Sequence, residues 1–258
     1  MTEQHNRDAW NAIAARGESP YARPVTPETV AAARRGEWTV MLTDTRPLPR
    51  AWLPDVRGLD LLCLASGGGQ QGPVLAAAGA NVTVFDLSEA QLALDREVAE
   101  REGLTLRLVQ GGMTDLSAFG DASFDVIIHP VSNLFVPDVR PVWREAYRVL
   151  RSGGSLLAGF LNPSMFIFDL DHLDETGELR VRYSLPYVEE AHLSPEQLEA
   201  YRREARPLHF SHTLTEQIAG QIDAGFLIAG LYEDDHGVNG DLLSSYIPTQ
   251  LATRAVKP

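Results

Sequence analysis

The sequence predicts an α/β fold, a doubly wound and mostly parallel seven-stranded sheet preceded by an irregular arm. Three observations carry this. From Leu59 onward, short apolar runs alternate with helix-capping patterns, the connections between them are short, and a glycine-rich turn joins the first run to the first helix. With 258 residues, 44% of them hydrophobic, the chain can bury the core such a domain needs.

Residues 1–57 form the arm, punctuated by Pro20, Pro24, Pro27, Pro47, Pro49 and Pro54. One short helix is expected near residues 8–16. A second starts with Thr26 as N-cap and Pro27 in the first helical position and stops before Gly36. Trp10, Trp38 and Trp52 are costly to leave in water, so the arm should pack as a cover on the α/β domain.

Residues 58–258 form the domain proper. Residues 61–65 read as a buried strand, and the turn 66–72 leads into a helix reaching Ala78. A strand at 82–85 ends beside Asp86, and Ser88 with Gln91 opens a helix to about Glu102 as a capping-box pattern. Strands follow at 106–109 and 124–129, then a helix at about 141–150 that stops at Gly153-Gly154, and a strand at 155–160. Residues 164–210 break the rhythm and read as an inserted cap of one hairpin and one helix, the helix starting at Ser194-Pro195. Thr213 and Glu216 form another capping box, whose helix carries Leu214, Ile218 and Ile222 on one stripe and stops at Gly225. Strands at 226–232 and 250–256 finish the sheet.

Composition narrows the function. The net charge is −13, and of 22 basic residues only Lys257 is lysine, which reads as the composition of a GC-rich bacterial genome. No segment offers the basic footprint that phosphate backbones need, so nucleic-acid partners are not expected. No apolar run spans a membrane and no signal peptide is visible, which makes the cytoplasm the expected location. Cys63, the single cysteine, rules out an internal disulfide and any multi-cysteine metal site, and lies mid-strand as a small core residue. Glu233-Asp234-Asp235-His236 imitates a metal site but reads as a solvated acidic turn. No metal is expected.

The chemistry concentrates at the turn Ser66-Gly67-Gly68-Gly69-Gln70-Gln71-Gly72. Its strand-turn-helix setting lets backbone amides approach a ligand, and Gly67, Gly69 and Gly72 satisfy a nucleotide-binding spacing. Asp86 ends the next strand, where a carboxylate accepts hydrogen bonds from ribose hydroxyls. His129 ends the fourth strand on the edge where ligands sit in open sheets, and Asn133 lies in the same loop.

This set resembles the first two motifs of class I S-adenosylmethionine-dependent methyltransferases of the small-molecule, type 11-like group, over roughly residues 59–160 and the last two strands. The resemblance implies S-adenosylmethionine as cofactor and S-adenosylhomocysteine as product. It further implies a cofactor site drawn from Ala65, Ser66, Gly67, Gly69, Gln71, Asp86, Leu87, Gln91, Gly112, Met113 and His129. Ala65, Ser66 and Gly67 would approach the methionine part, Asp86 and Leu87 the ribose and adenine edge, and Met113 the adenine. The chain departs from the family pattern at three places. Cys63 stands where an acid precedes the loop, Ala65 replaces its first glycine, and Gly112 replaces the acid that contacts the adenine amino group, with Asp115 a possible substitute.

The acceptor is expected to be a small molecule walled in by the arm and the insertion, with Trp38, Asn133, Tyr183 and Tyr187 as contacts. His129 is the nominated general base. Deletion of residues 1–40 should then abolish transfer while sparing the cofactor. The glycine spacing with Asp86 would also suit NAD and an oxidoreductase, although a helix–strand–strand ending and a lone Lys257 oppose it. A non-catalytic module that binds S-adenosylmethionine is the other alternative.

Overall fold

Alternate residues of the first strand, β1 (Asp60–Leu64), face opposite sides: Leu62 and Leu64 enter one buried cluster, Leu61 and Cys63 another. A strand buried on both faces belongs inside a sheet covered by helices on both sides. The computed structural model, which describes residues 2–17, 19–237 and 242–258, has that sheet. β1 is flanked by β2 (Asn81–Asp86) and β4 (Phe124–His129). β3 (Leu106–Gln110) lies outside β2, while β5 (Leu150–Leu161), β7 (Gln250–Val256) and β6 (Leu227–Asp234) continue beyond β4, giving the order β3-β2-β1-β4-β5-β7-β6. The pairings from β3 to β5 are parallel, and β7 runs antiparallel to both β5 and β6.

Helices α3 (Gln71–Ala77), α4 (Glu89–Glu102) and α5 (Arg140–Val149) make the crossovers. Ser88 caps α4 by accepting from the Gln91 amide at 3.1 Å, but Gln91 does not return the bond, so the box is half made. The chain winds from β1 toward β3, then reverses to β4 and β5. That reversal opens a crevice at the carboxyl ends of β1 and β4, the position where open sheets of this kind hold ligands.

The arm folds against the domain. α1 (Thr2–Arg16) packs on α4, and α2 (Pro27–Arg34), capped by Thr26, packs on α3. Asn6, buried, anchors α1: its Oδ1 accepts from the Leu208 amide at 2.7 Å, and its Nδ2 donates to Phe135 O at 3.0 Å and Leu208 O at 3.1 Å.

The insertion differs from the expected hairpin and helix. It contains two helices, α6 (Leu170–Thr176) and α7 (Pro195–Glu204), with a 3-10 turn at Glu189–His192 between them, and its strand-like contacts are isolated bridges, Phe168 with Val181 and Val188 with Phe210. Local signals explain α6. Asp169 caps it on the His172 amide, and Gly177 ends it in the left-handed conformation.

The segment after Thr213 is also corrected. The capping box forms, yet residues Thr215–Ala219 adopt a wider π turn before α8 (Gly220–Asp223), and the apolar stripe points outward, with Leu214 and Ile222 exposed. The buried positions are polar and paired. Gln217 and Asn133 exchange two amide hydrogen bonds of 3.0 Å, and Gln221 accepts from Thr253 Oγ1 at 3.0 Å. Satisfied amides replace aliphatic packing on this face. Among the described residues no helix is long and apolar enough to cross a membrane.

Candidate active site

The turn after β1 is shaped by what crowds it. Gly67 has φ of +77°, and a Cβ there would lie 2.8 Å from Tyr21 O. At Gly68 it would lie 2.4 Å from Gln91 Oε1. The strap of residues 20–44 is latched over the turn. Gly68 N donates to Tyr21 O at 3.2 Å and Val25 N to Gly69 O at 2.8 Å. Gln71 donates from Nε2 to Met41 O at 2.9 Å and accepts the Met41 amide at 3.2 Å, so its whole side-chain amide serves the strap. Ala65 adopts φ of +48°, a left-handed conformation in which alanine costs about 1–2 kcal/mol.

A cavity of about 820 Å³ runs along the carboxyl edge of the sheet, within the roughly 300–1,000 Å³ of small-molecule sites. The strand order places its walls. The loop after β3 supplies Gly111–Thr114, β2 supplies Asp86 and Leu87, and β1 supplies Ala65–Gly67. Pro130–Ser132 follow β4, Leu161 ends β5, and Gln250 and His236 close the far end beside β7 and β6. Thr2, Glu3, Asn6 and Trp10 of α1 wall the same cavity from outside the sheet.

At the near end the lining fits a nucleoside with a polar tail. Asp86 accepts the Ser88 amide at 2.8 Å, and burial pushes its carboxyl up to about 6 against the pull of that bond and the Leu87 amide. Ser66 Oγ and Gln91 Oε1, both buried and both in the lining, have no hydrogen-bond partner among the described residues. Buried polar atoms of this kind imply a ligand or water that completes them. Behind the turn, Asp95 accepts the Gly69 amide at 3.0 Å while its other oxygen is unpartnered. Burial drives its carboxyl well above the ordinary range.

At the far end a charged group is built from distant parts of the chain. His236 Nδ1 lies 2.6 Å from Asp44 Oδ2, and the Tyr21 hydroxyl donates to Asp44 Oδ1 at 3.1 Å. The Asp44 amide donates to Gln250 Oε1 at 2.8 Å. Burial raises the Asp44 carboxyl, but the bonds from His236, Gln250 and Tyr21 outweigh it and hold the group below its usual value. The Tyr21 phenol is pushed up by burial and by Asp44, so it stays a donor. The acidic turn divides. Asp234 turns to Thr45 and to the Arg46 amide, while His236 faces the cavity. Among the described residues no group of three or more His, Cys, Asp or Glu could hold a metal ion.

Of the residues singled out from the sequence, Ala65, Ser66, Gly67, Gln71, Asp86, Leu87, Gln91, Gly112 and Met113 line the cavity. Gly69 does not, its amide and carbonyl being engaged by Asp95 and Val25. His129 requires correction as base and cofactor contact. The two-residue period of β4 sends it to the Ile127 face, where it is fully buried, edge-on to Trp143, with Nδ1 3.0 Å from Leu64 O. Burial lowers its imidazole to about 4, so it is neutral.

The expected acceptor contacts are also not in the lining. Asn133 is tied to Gln217, and Trp38 packs on the core under the Arg50 guanidinium, 3.9 Å from its ring. Tyr183 and Tyr187 cluster with His192 at 4.8–5.1 Å, a small aromatic core for the insertion. Asp115 bonds the Ser117 amide and lies outside the lining. Sequence reasoning missed Glu3, Tyr21, Asp44 and His236 as site residues. They converge from sequence positions with no common spacing, and His236 alone had a local signal, its acidic neighbours.

Residues 62–158 match the family described as methyltransferase domain. Over 253 residues, 98% of this chain and 97% of the relative, the chain is 49% identical to a Bacillus subtilis (strain 168) protein named uncharacterized methyltransferase YbaJ. It is 28% identical to a Pseudomonas aeruginosa ubiquinone biosynthesis O-methyltransferase over 169 residues, covering 64% of this chain and 72% of that one. Among solved structures it resembles a putative S-adenosylmethionine dependent methyltransferase from Listeria monocytogenes, with TM-score 0.62, 22% identity and coverage of 88% and 99%. It also resembles the Burkholderia thailandensis 1,6-didemethyltoxoflavin-N1-methyltransferase solved with bound 1,6-didemethyltoxoflavin and S-adenosylhomocysteine, with TM-score 0.60, 16% identity and coverage of 98% and 88%. At these identities the two structures speak for the fold.

Proposed function

The chain belongs to the class I S-adenosylmethionine-dependent methyltransferases, and from that premise we propose that its acceptor is a small molecule held at the Tyr21–Asp44–His236 end of the cavity. One observation carries the reading: a single cavity joins the glycine turn and Asp86 to a carboxylate–imidazole pair. When bound, S-adenosylmethionine supplies an electrophilic methyl carbon on a sulfonium. In this reading the amides of Ala65–Gly67 and the unpartnered Ser66 Oγ meet the methionine part. Asp86 accepts the ribose hydroxyls, with Gln91 beside it, and Leu87, Gly112 and Met113 border the adenine.

The protein's work is alignment and proton removal. The strap and α1 wall the cavity and hold the acceptor in one orientation, a contribution of about 7–11 kcal/mol in favourable cases. Asp44 holds the imidazole of His236 through Nδ1, beside the Gln250 side-chain amide, at the cavity wall. The His236 imidazole then receives the proton that the acceptor loses, and Asp44 stabilises the resulting imidazolium. The reading carries with it the cytoplasmic location expected without a signal peptide, no membrane partner for want of a spanning apolar run, and no nucleic-acid partner for so acidic a chain.

Two measurements test it. S-adenosylhomocysteine should raise the melting temperature, because it binds the folded state alone, while NADH at equal concentration should not. Methyl-labelled S-adenosylmethionine, incubated with the protein and a fractionated cell extract, should label small molecules. Stabilisation by NADH alone, or label confined to protein or nucleic acid, would overturn the reading.

A further inference from the structure

Four carboxylates line the cavity, and three have protein partners. Asp44 holds His236 and Tyr21, Asp86 accepts the Ser88 amide, and Asp138 pairs with Arg140 at 2.8 Å. The fourth, Glu3 in the first turn of α1, has no hydrogen bond or ion pair with any other described residue. Its neighbour across the cavity rim is Gly112. A Cβ at 112 would lie 3.2 Å from Glu3 Oε2 and 3.3 Å from Glu3 Cδ. The φ of Gly112 is not positive, so the backbone does not call for glycine there. What an absent side chain provides at 112 is room for the Glu3 carboxylate.

The strand order fixes what would lie in that room, given the S-adenosylmethionine site proposed for this cavity, on which this inference rests. The glycine turn follows β1, Asp86 ends β2, and Gly112 follows β3, side by side along one edge. A nucleoside with its ribose on Asp86 and its 5′ tail on the glycine turn directs its base the other way, toward the loop after β3. Leu87 and Met113 give that end apolar surface for the base. Glu3 gives it an anionic acceptor at the edge. A 6-amino purine presents two N–H donors from its exocyclic nitrogen, whereas a 6-oxo purine presents a carbonyl oxygen that a carboxylate repels.

We propose that Glu3 accepts a hydrogen bond from the exocyclic amino group of the cofactor's adenine, in the space Gly112 leaves, so that α1 is part of the cofactor site. The base is thus read by a carboxylate delivered from the N-terminal helix instead of from the loop after β3. The arm reaches both ends of the cavity, with α1 over the adenine and Tyr21 and Asp44 at the acceptor.

The test is calorimetric binding of S-adenosylhomocysteine and S-inosylhomocysteine to the full chain. Wild-type protein should prefer the adenosyl ligand by about tenfold or more. Glu3→Ala, at an exposed position, should erase most of that preference by weakening the adenosyl ligand alone. The double variant Glu3→Ala/Gly112→Asp, which offers a carboxylate from the other side of the same gap, should restore it. A preference unchanged in Glu3→Ala, or an equal loss for both ligands, overturns the inference while leaving the cofactor reading intact. Failure of wild-type protein to bind either ligand overturns both.

Discussion

Asp44 and His236 meet at 2.6 Å across 192 residues of chain, one on the strap and the other just beyond the sheet's edge strand β6. In the proposed mechanism Asp44 orients the imidazole that takes the proton, and Tyr21 and Gln250 hold Asp44. With an acceptor identified by methyl labelling, Asp44→Asn and His236→Phe should each lower turnover by roughly 10²–10⁴-fold. Their S-adenosylhomocysteine dissociation constants should stay within about threefold of wild type. Turnover at the wild-type rate in both variants would remove the pair from the mechanism.

Asp86 should bind as a carboxylate. Its rise to about 6 means that ribose hydroxyls meet a partly protonated acid below that pH. Affinity for S-adenosylhomocysteine should therefore increase as pH rises through about 6 and level off above it. Asp86→Ala should lose roughly 1.5–3 kcal/mol at pH 8, a dissociation constant one to two decades weaker, and flatten the profile. An unchanged constant by calorimetry would show that the carboxylate points elsewhere.

Ala65 is a strained residue at a position suited to glycine. With φ of +48° it occupies the left-handed region, and Ala65→Gly would relieve that cost while loosening the unfolded chain. The expected net effect is stabilisation by about 0.5–1 kcal/mol in urea titration. A destabilised variant would mean that the methyl group's packing outweighs the backbone strain.

His129 predicts a pH dependence of stability. It is neutral in the folded protein down to about 4 but binds a proton near 6.5 when unfolded. Between those values the unfolded state holds more protons, so stability is full above 6.5 and falls as pH drops toward 4, by roughly 3 kcal/mol at the limit. His212, lowered by burial in the same direction, adds to the slope. Urea titrations at pH 5 and pH 7 should therefore show a smaller difference for His129→Leu than for wild type. Equal differences would mean that the imidazole is not the titrating group.

The sheet was legible because its signals are local. Apolar runs, Ser88 before α4, Thr26-Pro27 before α2 and the glycine turn each act over a few residues, and every one of those elements forms. The near end of the cavity was legible for the same reason, since Asp86 and the turn lie within two consecutive crossover units. The far end was not. Asp44, His236 and Gln250 are brought together by strap and sheet order, and nothing in their separate neighbourhoods records the meeting. His129 misled because its strand end faces the ligand edge while its side-chain parity faces Trp143. The Leu214–Ile222 stripe misled because a π turn and the Asn133–Gln217 amide pair set which face is buried.

Ligands must reach a cavity that α1 helps to wall. The helix is fastened by polar contacts at its two ends and middle: His5 to Arg206 O at 2.8 Å, Asn6 to Leu208 and Phe135, Asn11 accepting from Ser88 Oγ at 2.7 Å, and Arg16 to Glu204 O. Asn6 is the buried member, and its loss leaves the Leu208 amide without its acceptor, a cost of about 1–3 kcal/mol. That cost falls on the docked helix, because an undocked α1 exposes the same groups to water. Asn6→Ala should therefore speed amide exchange across residues 2–16 more than in β1 or β4, reporting local opening. If α1 gates the cavity, S-adenosylhomocysteine should dissociate from the variant faster by a factor of up to about ten, in step with the exchange. Faster exchange with an unchanged off-rate would show that ligands come and go past a helix that stays docked, and the gate would then lie in the strap.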